Sequence, residues 1–244
     1  MPFKSIKLLQ QFEIFAHRIV FNCRFEMEND QINIRFFVPH GKTEITVSEE
    51  LSRAFEVSRT HGLVVDWIQE SSLVNKIKLQ QNIPEILVID PDLEGPCYDS
   101  LMQLCQQRVL SLIGPICLMT CLYGNCSLPD TKYPVFSGAL RGCVVTSSGV
   151  KDIEERQRLR CLVQMMWGSW SNDLHDGVTH LVTATVLSDK YVAATKAGLP
   201  VMTLSWLDQV WRESLADPSL ISAVDKRFSG YKCPPLLGRF TVIL

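Results

Sequence analysis

The chain has 244 residues, 46% hydrophobic and 20% charged, with 13 Gly and 12 Pro, which excludes collagen-like, disordered and low-complexity classes. That length holds one large domain or two ordinary ones. With 24 Lys+Arg against 26 Asp+Glu the net charge is −2, so wrapping nucleic acid by bulk electrostatics is disfavoured. Direct DNA binding would need a local basic patch and is not indicated.

Nine cysteines (23, 97, 105, 117, 121, 126, 143, 161, 233) form no CxxC pair, and most lie inside apolar runs. They read as small buried hydrophobes of a reducing compartment. Cys117, Cys121 and Cys126 cluster, but no His or second pair completes a metal site, so neither metal nor cofactor is expected. Glu13, His17 and Arg18 interrupt the apolar N-terminus, so no secretory signal is expected. Residues 109–129 carry no charge, yet Gly114-Pro115 splits them and Ser111, Thr120, Asn125 and Ser127 dilute them. A buried strand, a turn and a helix are expected there, with no membrane contact.

Residues 1–30 have helical spacing in places (Leu8, Leu9, Phe12, Phe15) but join no evident core. From 31 to 129 strands and helices alternate. IRFFV leads through Gly41 into SEELSRAF, which starts like a capped helix. ILVID (86–90), a helix around 99–106 and an apolar run from Val109 follow. The second half repeats the order more clearly. GCVVT (142–146) is a strand, and Asp152 opens a helix whose Leu159, Leu162, Val163 and Met166 share one face. THLVTA (179–184) is a buried strand that carries a structural His180, and Gly198 ends a short helix from Asp189. LPVMTL returns as a strand, and Ser205 caps a last helix carrying Trp206, Leu207, Val210 and Trp211, with the Trp206 ring buried. LSLIGPICLMTCLYG and PVMTLSWLDQVWRES, about 91 residues apart, make the halves resemble a duplicated module. The link between them is short and holds two prolines, so direct packing of the modules is expected. After YKCPPLLG, the run RFTVIL looks like the first strand of a further unit.

No enzyme is expected. HGKT (40–43) has Phe36 where a phosphate loop needs its first glycine, and no G-x-S-x-G, H-E-x-x-H or G-x-G-x-x-G occurs. One constellation carries recognition chemistry. Thr146 and Ser147 lie at the carboxyl end of strand 142–146, where open α/β sheets bind ligands. Lys190 stands at a helix start and Arg156 early in the helix after the strand. A hydroxyl, a backbone N–H, an ammonium and a guanidinium would suit one phosphate. Spacing alone favours a threonine that ends a strand and two solvated cations.

The motifs G-CVVTSSG, VTHLVTA, DKYVAATKAGLPVMTLSW and W-RES resemble a BRCT repeat over about 95 residues, from Tyr133 to Phe228. IGP (113–115), YPVF (133–136), LVQMM (162–166), SDKY (188–191) and YKCPPLLG (231–238) resemble the N-terminal region of the DNA topoisomerase 2-binding protein 1 family. That resemblance implies an α/β fold of tandem BRCT repeats, each a central parallel four-stranded sheet flanked by helices. It divides the chain into an unassigned segment 1–30, a degenerate repeat 31–129, a phosphopeptide-binding repeat 133–229 and the start of a truncated third repeat, 231–244. It also implies phosphate contacts from Thr146, Ser147, Lys190 and Arg156 to phosphoserine or phosphothreonine tails, among them those of the checkpoint clamp and replication-initiation factors. A non-catalytic nuclear scaffold in DNA replication and damage-checkpoint signalling is the function implied. The pattern departs in three places: Ser147 stands where the usual repeat has Gly, Trp167-Gly168 replaces a Gly-Gly turn, and the first half has Val38-Pro39 and acidic Glu94 and Asp99 where a phosphate site would need hydroxyl and lysine. Packing, not phosphate binding, is therefore expected of the first half. The alternative is the N-terminal BRCT region of Pebble-like Rho guanine-nucleotide exchange factors acting in cytokinesis. IGP and the VTHLV/W frame fit both families, whereas YKCPPLLG and LVQMM favour the first.

Overall fold

A computed structural model describes residues 33–79, 83–216, 222 and 225–233; the segment 1–30 and the strand expected over RFTVIL lie outside the described residues. The apolar run Ile34–Val38 forms β1, which leads into helix α1, Glu49–Thr60. Ser48 caps α1, its hydroxyl accepting from the Leu51 N–H at 3.1 Å, as the Ser-Glu-Glu start predicts. β2 (Val65–Gln69), α2 (Glu70–Leu79), β3 (Ile86–Val88), α3 (Pro96–Gln106), β4 (Ser111–Ile113) and α4 (Pro115–Tyr123) follow. The four strands pair in parallel in the order β2-β1-β3-β4, so each connection crosses over through a helix. The uncharged run 109–129 divides into β4, a Gly-Pro turn and α4, and no described helix is long and apolar enough to cross a membrane.

The second half repeats this wiring. β5 (Val144–Ser148), α5 (Ile153–Met165), β6 (Ser169–Ser171), β7 (His180–Thr183), α6 (Asp189–Lys196), β8 (Val201–Thr203) and α7 (Ser205–Ala216) build a parallel sheet ordered β6-β5-β7-β8. β4 with α4 and β8 with α7 hold equivalent places, so the internal resemblance is a structural repeat. Three expectations need correction. β5 runs two residues further than 142–146 predicts, because Ser147 and Ser148 continue the parallel pairing with Val182 and Thr183. Ser205 is the first residue of α7, not its cap, and its hydroxyl lies 3.0 Å from that of Thr203. The edge strands β2 and β6, which complete the four-stranded sheets, had not been located in the sequence.

Each sheet is covered by its own helices. In the second repeat Trp206 is fully buried and stacks on His180 at 5.1 Å between centroids and 22° between planes. Trp167, in the altered turn, takes φ +65 with the Arg141 guanidinium over its ring at 4.5 Å. Gly198 ends α6 at φ +71, as expected of a helix terminator.

The repeats share their linker. Val135 donates to the Leu112 carbonyl (3.0 Å) and accepts from Gly114 (2.8 Å), which extends the first sheet. The next two N–H groups, of Phe136 and Ser137, donate to the Met165 carbonyl at the end of α5 (2.8 and 3.3 Å). Phe136 packs edge-on against Trp211, and the Ser214 hydroxyl donates to that of Ser137.

Candidate functional site

A cleft of about 630 Å³ opens at the carboxyl end of β5, lined by Ser147, Ser148, Gly149, Val150, Arg156, Asn172, Ser188, Asp189 and Lys190. The position follows from topology. β5 and β7 are central neighbours whose crossovers leave in opposite directions, the switch point at which open α/β sheets receive ligands. Polar residues collect there because the strand ends and the helix N-terminus leave backbone groups to satisfy. Ser188 caps α6 by accepting from the Tyr191 N–H, and its hydroxyl receives a 2.6 Å bond from Ser148.

The structure brings Ser147, Lys190 and Arg156 to this one cleft. The Lys190 ammonium donates to the Asn172 carbonyl (2.5 Å), the Ser147 carbonyl (3.3 Å) and the Thr146 hydroxyl (3.4 Å). Arg156 is exposed on α5 and is steered by a 2.8 Å bond to the Val150 carbonyl. Thr146 differs. Its exposure is 0%, and it is absent from the cleft lining, so its hydroxyl reaches Lys190 but no solvent. The lining hydroxyls are those of Ser147, Ser148 and Ser188. Sequence reasoning missed Ser148, Gly149, Asn172 and Ser188. The first two carried a signal: Ser148-Gly149 is a hydroxyl–glycine pair, and the strand's true end puts it at the mouth. Gly149 takes φ +72, and a Cβ there would come within 2.4 Å of the Thr185 methyl, so only glycine fits. Asp189 is the one carboxylate in the lining, and it disfavours a second anionic group nearby.

The corresponding cleft of the first repeat has the opposite sign. Its roughly 530 Å³ are lined by Glu50, Asp90, Asp92 and Glu94 against a single lysine, Lys42. Burial raises the Asp90 carboxyl above the ordinary carboxylate range, opposed by the Ser48 hydroxyl bonded to it. A phosphate would meet like charge there. The cysteine cluster offers no ligand site either. Cys117 and Cys121 are buried, and the Cys121 thiol is pushed up by hydrogen bonding to Cys117 and by burial, which keeps it protonated. Among the described residues, no group of three His, Cys, Asp or Glu could hold a metal.

A twin BRCT domain family model matches residues 143–206. Protein ECT2 of Homo sapiens is 30% identical over 124 residues, 51% of this chain and 14% of ECT2; the Mus musculus protein is 27% identical over the same length. The chain thus spans about a seventh of the length of the curated relatives it matches. Among solved structures, the Rad4 BRCT1,2 complex with a Crb2 phosphopeptide is 18% identical, covering 76% of this chain and 93% of that one at a TM-score of 0.31. Yeast Rtt107 is 13% identical, covering 75% and 40% at 0.39. The family match lies within the second repeat, and the same parallel wiring occurs in both halves, so the chain has an α/β fold of two parallel four-stranded sheets flanked by helices, the arrangement of tandem BRCT repeats.

Proposed function

We propose that the second repeat is a phosphopeptide-binding module and the first a packing partner that does not bind phosphate. The observation that carries this reading is the convergence of Lys190 and Arg156 on a hydroxyl-lined cleft at the end of β5. In this reading Ser148 offers the hydroxyl and Gly149 the backbone N–H that sequence had assigned to Thr146 and Ser147, with Ser147 on the rim. Lys190 and Arg156 neutralise the phosphate, and the N-terminus of α6 adds its dipole. The chain is then a recruiting segment of a scaffold, bringing phosphoserine or phosphothreonine tails to whatever the remaining protein does.

Two settings compete. YKCPPLLG and LVQMM support a nuclear role in replication and checkpoint signalling, with clamp and initiation factors as partners. The ECT2 similarity supports the alternative, an exchange factor's recruiting region in cytokinesis. In the test, phosphorylated and unphosphorylated Ser/Thr peptides are titrated into parent chain and Lys190→Glu, each confirmed folded by circular dichroism. The parent is expected to bind only the phosphorylated form, gaining roughly 1.5–3 kcal/mol per charge-assisted bond, and Lys190→Glu to lose it. Equal binding by Lys190→Glu would place the pocket elsewhere.

A further inference from the structure

We infer that Thr146 is a positioning residue of the phosphate cleft: its buried hydroxyl aims the Lys190 ammonium without touching the ligand. The inference rests on the phosphopeptide reading above. A lysine ammonium has three N–H donors, and here each has one acceptor: the carbonyls of Asn172 and Ser147 and the Thr146 hydroxyl. Two of these belong to backbone segments, the loop after β6 and the end of β5. Thr146 alone presents a side chain, and it comes from beneath, because residues 146 and 148 of β5 share one face. With 0% exposure it has no route to a peptide.

The arrangement matters because lysine is a flexible point charge. A free Lys190 would sample many rotamers and lose that freedom on every capture of a phosphate. Held over the cleft before the ligand arrives, it needs only to turn one N–H from a backbone carbonyl to the phosphate, its direction still set by the Thr146 hydroxyl. The Thr146 hydroxyl gives the ammonium a polar seat on the buried side of the strand.

The test uses Thr146→Val, which keeps shape and removes the hydroxyl, and Thr146→Ser, which keeps the hydroxyl. Two measurements are made on the whole chain. The first is the ammonium 1H–15N spectrum without ligand. Parent and Thr146→Ser are expected to show a distinct, slowly exchanging Lys190 signal that Thr146→Val broadens or loses. The second is affinity for a phosphothreonine peptide recovered by the parent chain from a degenerate library. Thr146→Val is expected to bind about tenfold more weakly, about 1.4 kcal/mol, and Thr146→Ser within about twofold of the parent. If Thr146→Val keeps both the signal and the affinity, or Thr146→Ser falls as far as Thr146→Val, the positioning role is overturned while phosphopeptide binding stands. If the parent recovers no phosphopeptide at all, the phosphopeptide reading itself falls, and the role assigned to Thr146 with it. Should Thr146→Val not fold, Thr146→Ala against Thr146→Ser makes the same comparison.

Discussion

Truncating Trp206 to alanine should be among the most costly single changes available to the second repeat. The side chain is fully buried among Val182, Met202, Leu207 and Val210, with His180 stacked on its face. An indole of this kind buries roughly 200–250 Å², worth about 5–6 kcal/mol at 25 cal/mol per Å² as an upper estimate. Its Nε1–H is buried without a partner among the described residues, a desolvation penalty of about 1–3 kcal/mol that alanine relieves. The difference puts Trp206→Ala at about 2–5 kcal/mol, overlapping the range for large-to-small aromatic truncations. That is a large fraction of a domain's usual stability. Trp206→Phe retains most of the ring contact and removes the orphaned donor, so it should cost no more than about 1–1.5 kcal/mol. Urea unfolding at constant slope measures both, and NMR titration of His180 gives a second reading. With the stack gone in Trp206→Ala, water reaches the imidazole and its pKa should rise toward the ordinary value. A loss below about 1 kcal/mol for Trp206→Ala, or equal losses for the two variants, would refute the reasoning.

Two further outcomes follow from the same geometry. Burial, aided by the charge on Lys232, holds the His180 imidazole down to about 4 from an ordinary 6.5, so between those values the unfolded chain binds a proton that the folded chain does not. His180 therefore lends stability in full above about pH 6.5 and loses it as pH falls toward 4, by about 3 kcal/mol; denaturation at pH 7.5 and 4.5 should show the loss in the parent and a flatter dependence in His180→Phe. Gly149→Ala should destabilise the repeat by about 2–4 kcal/mol, from the left-handed backbone plus the Thr185 clash, and should weaken phosphopeptide capture in any fraction that folds, as paired calorimetric melting and titration would show.

The strongly apolar strands and the capped helices could be read directly, because burial on both faces of a parallel sheet leaves uninterrupted runs such as ILV in β3 and HLVT in β7. The edge strands could not. β2 reads VDWIQ, with Asp66 turned out to pair Arg35 across the sheet, and β6 is three residues, SWS, mostly half-exposed. Neither carries a periodicity that a window would register. The cleft opens within two residues of the strand end that the sequence marked. The strand was expected to end at Thr146, but Ser148 continues it and is 93% buried: its carbonyl accepts from Ala184 and its hydroxyl bonds Ser188. Those partners lie 36 and 40 positions away, where local pattern has no reach. Lys190 could be nominated because a lysine at a helix start is a local feature; the acceptors that hold it are not.

The Met165 carbonyl receives two N–H groups from a linker that is itself a rib of the first sheet. Excising the second repeat at residue 138 would strip those donors from the end of α5 and bare the Trp211 edge that Phe136 covers. The severed half would carry an orphaned acceptor and an uncovered aromatic at the root of the helix that presents Arg156. The first repeat thus acts as the mount of an instrument: its last rib holds the end of the helix on which the second repeat's cleft depends.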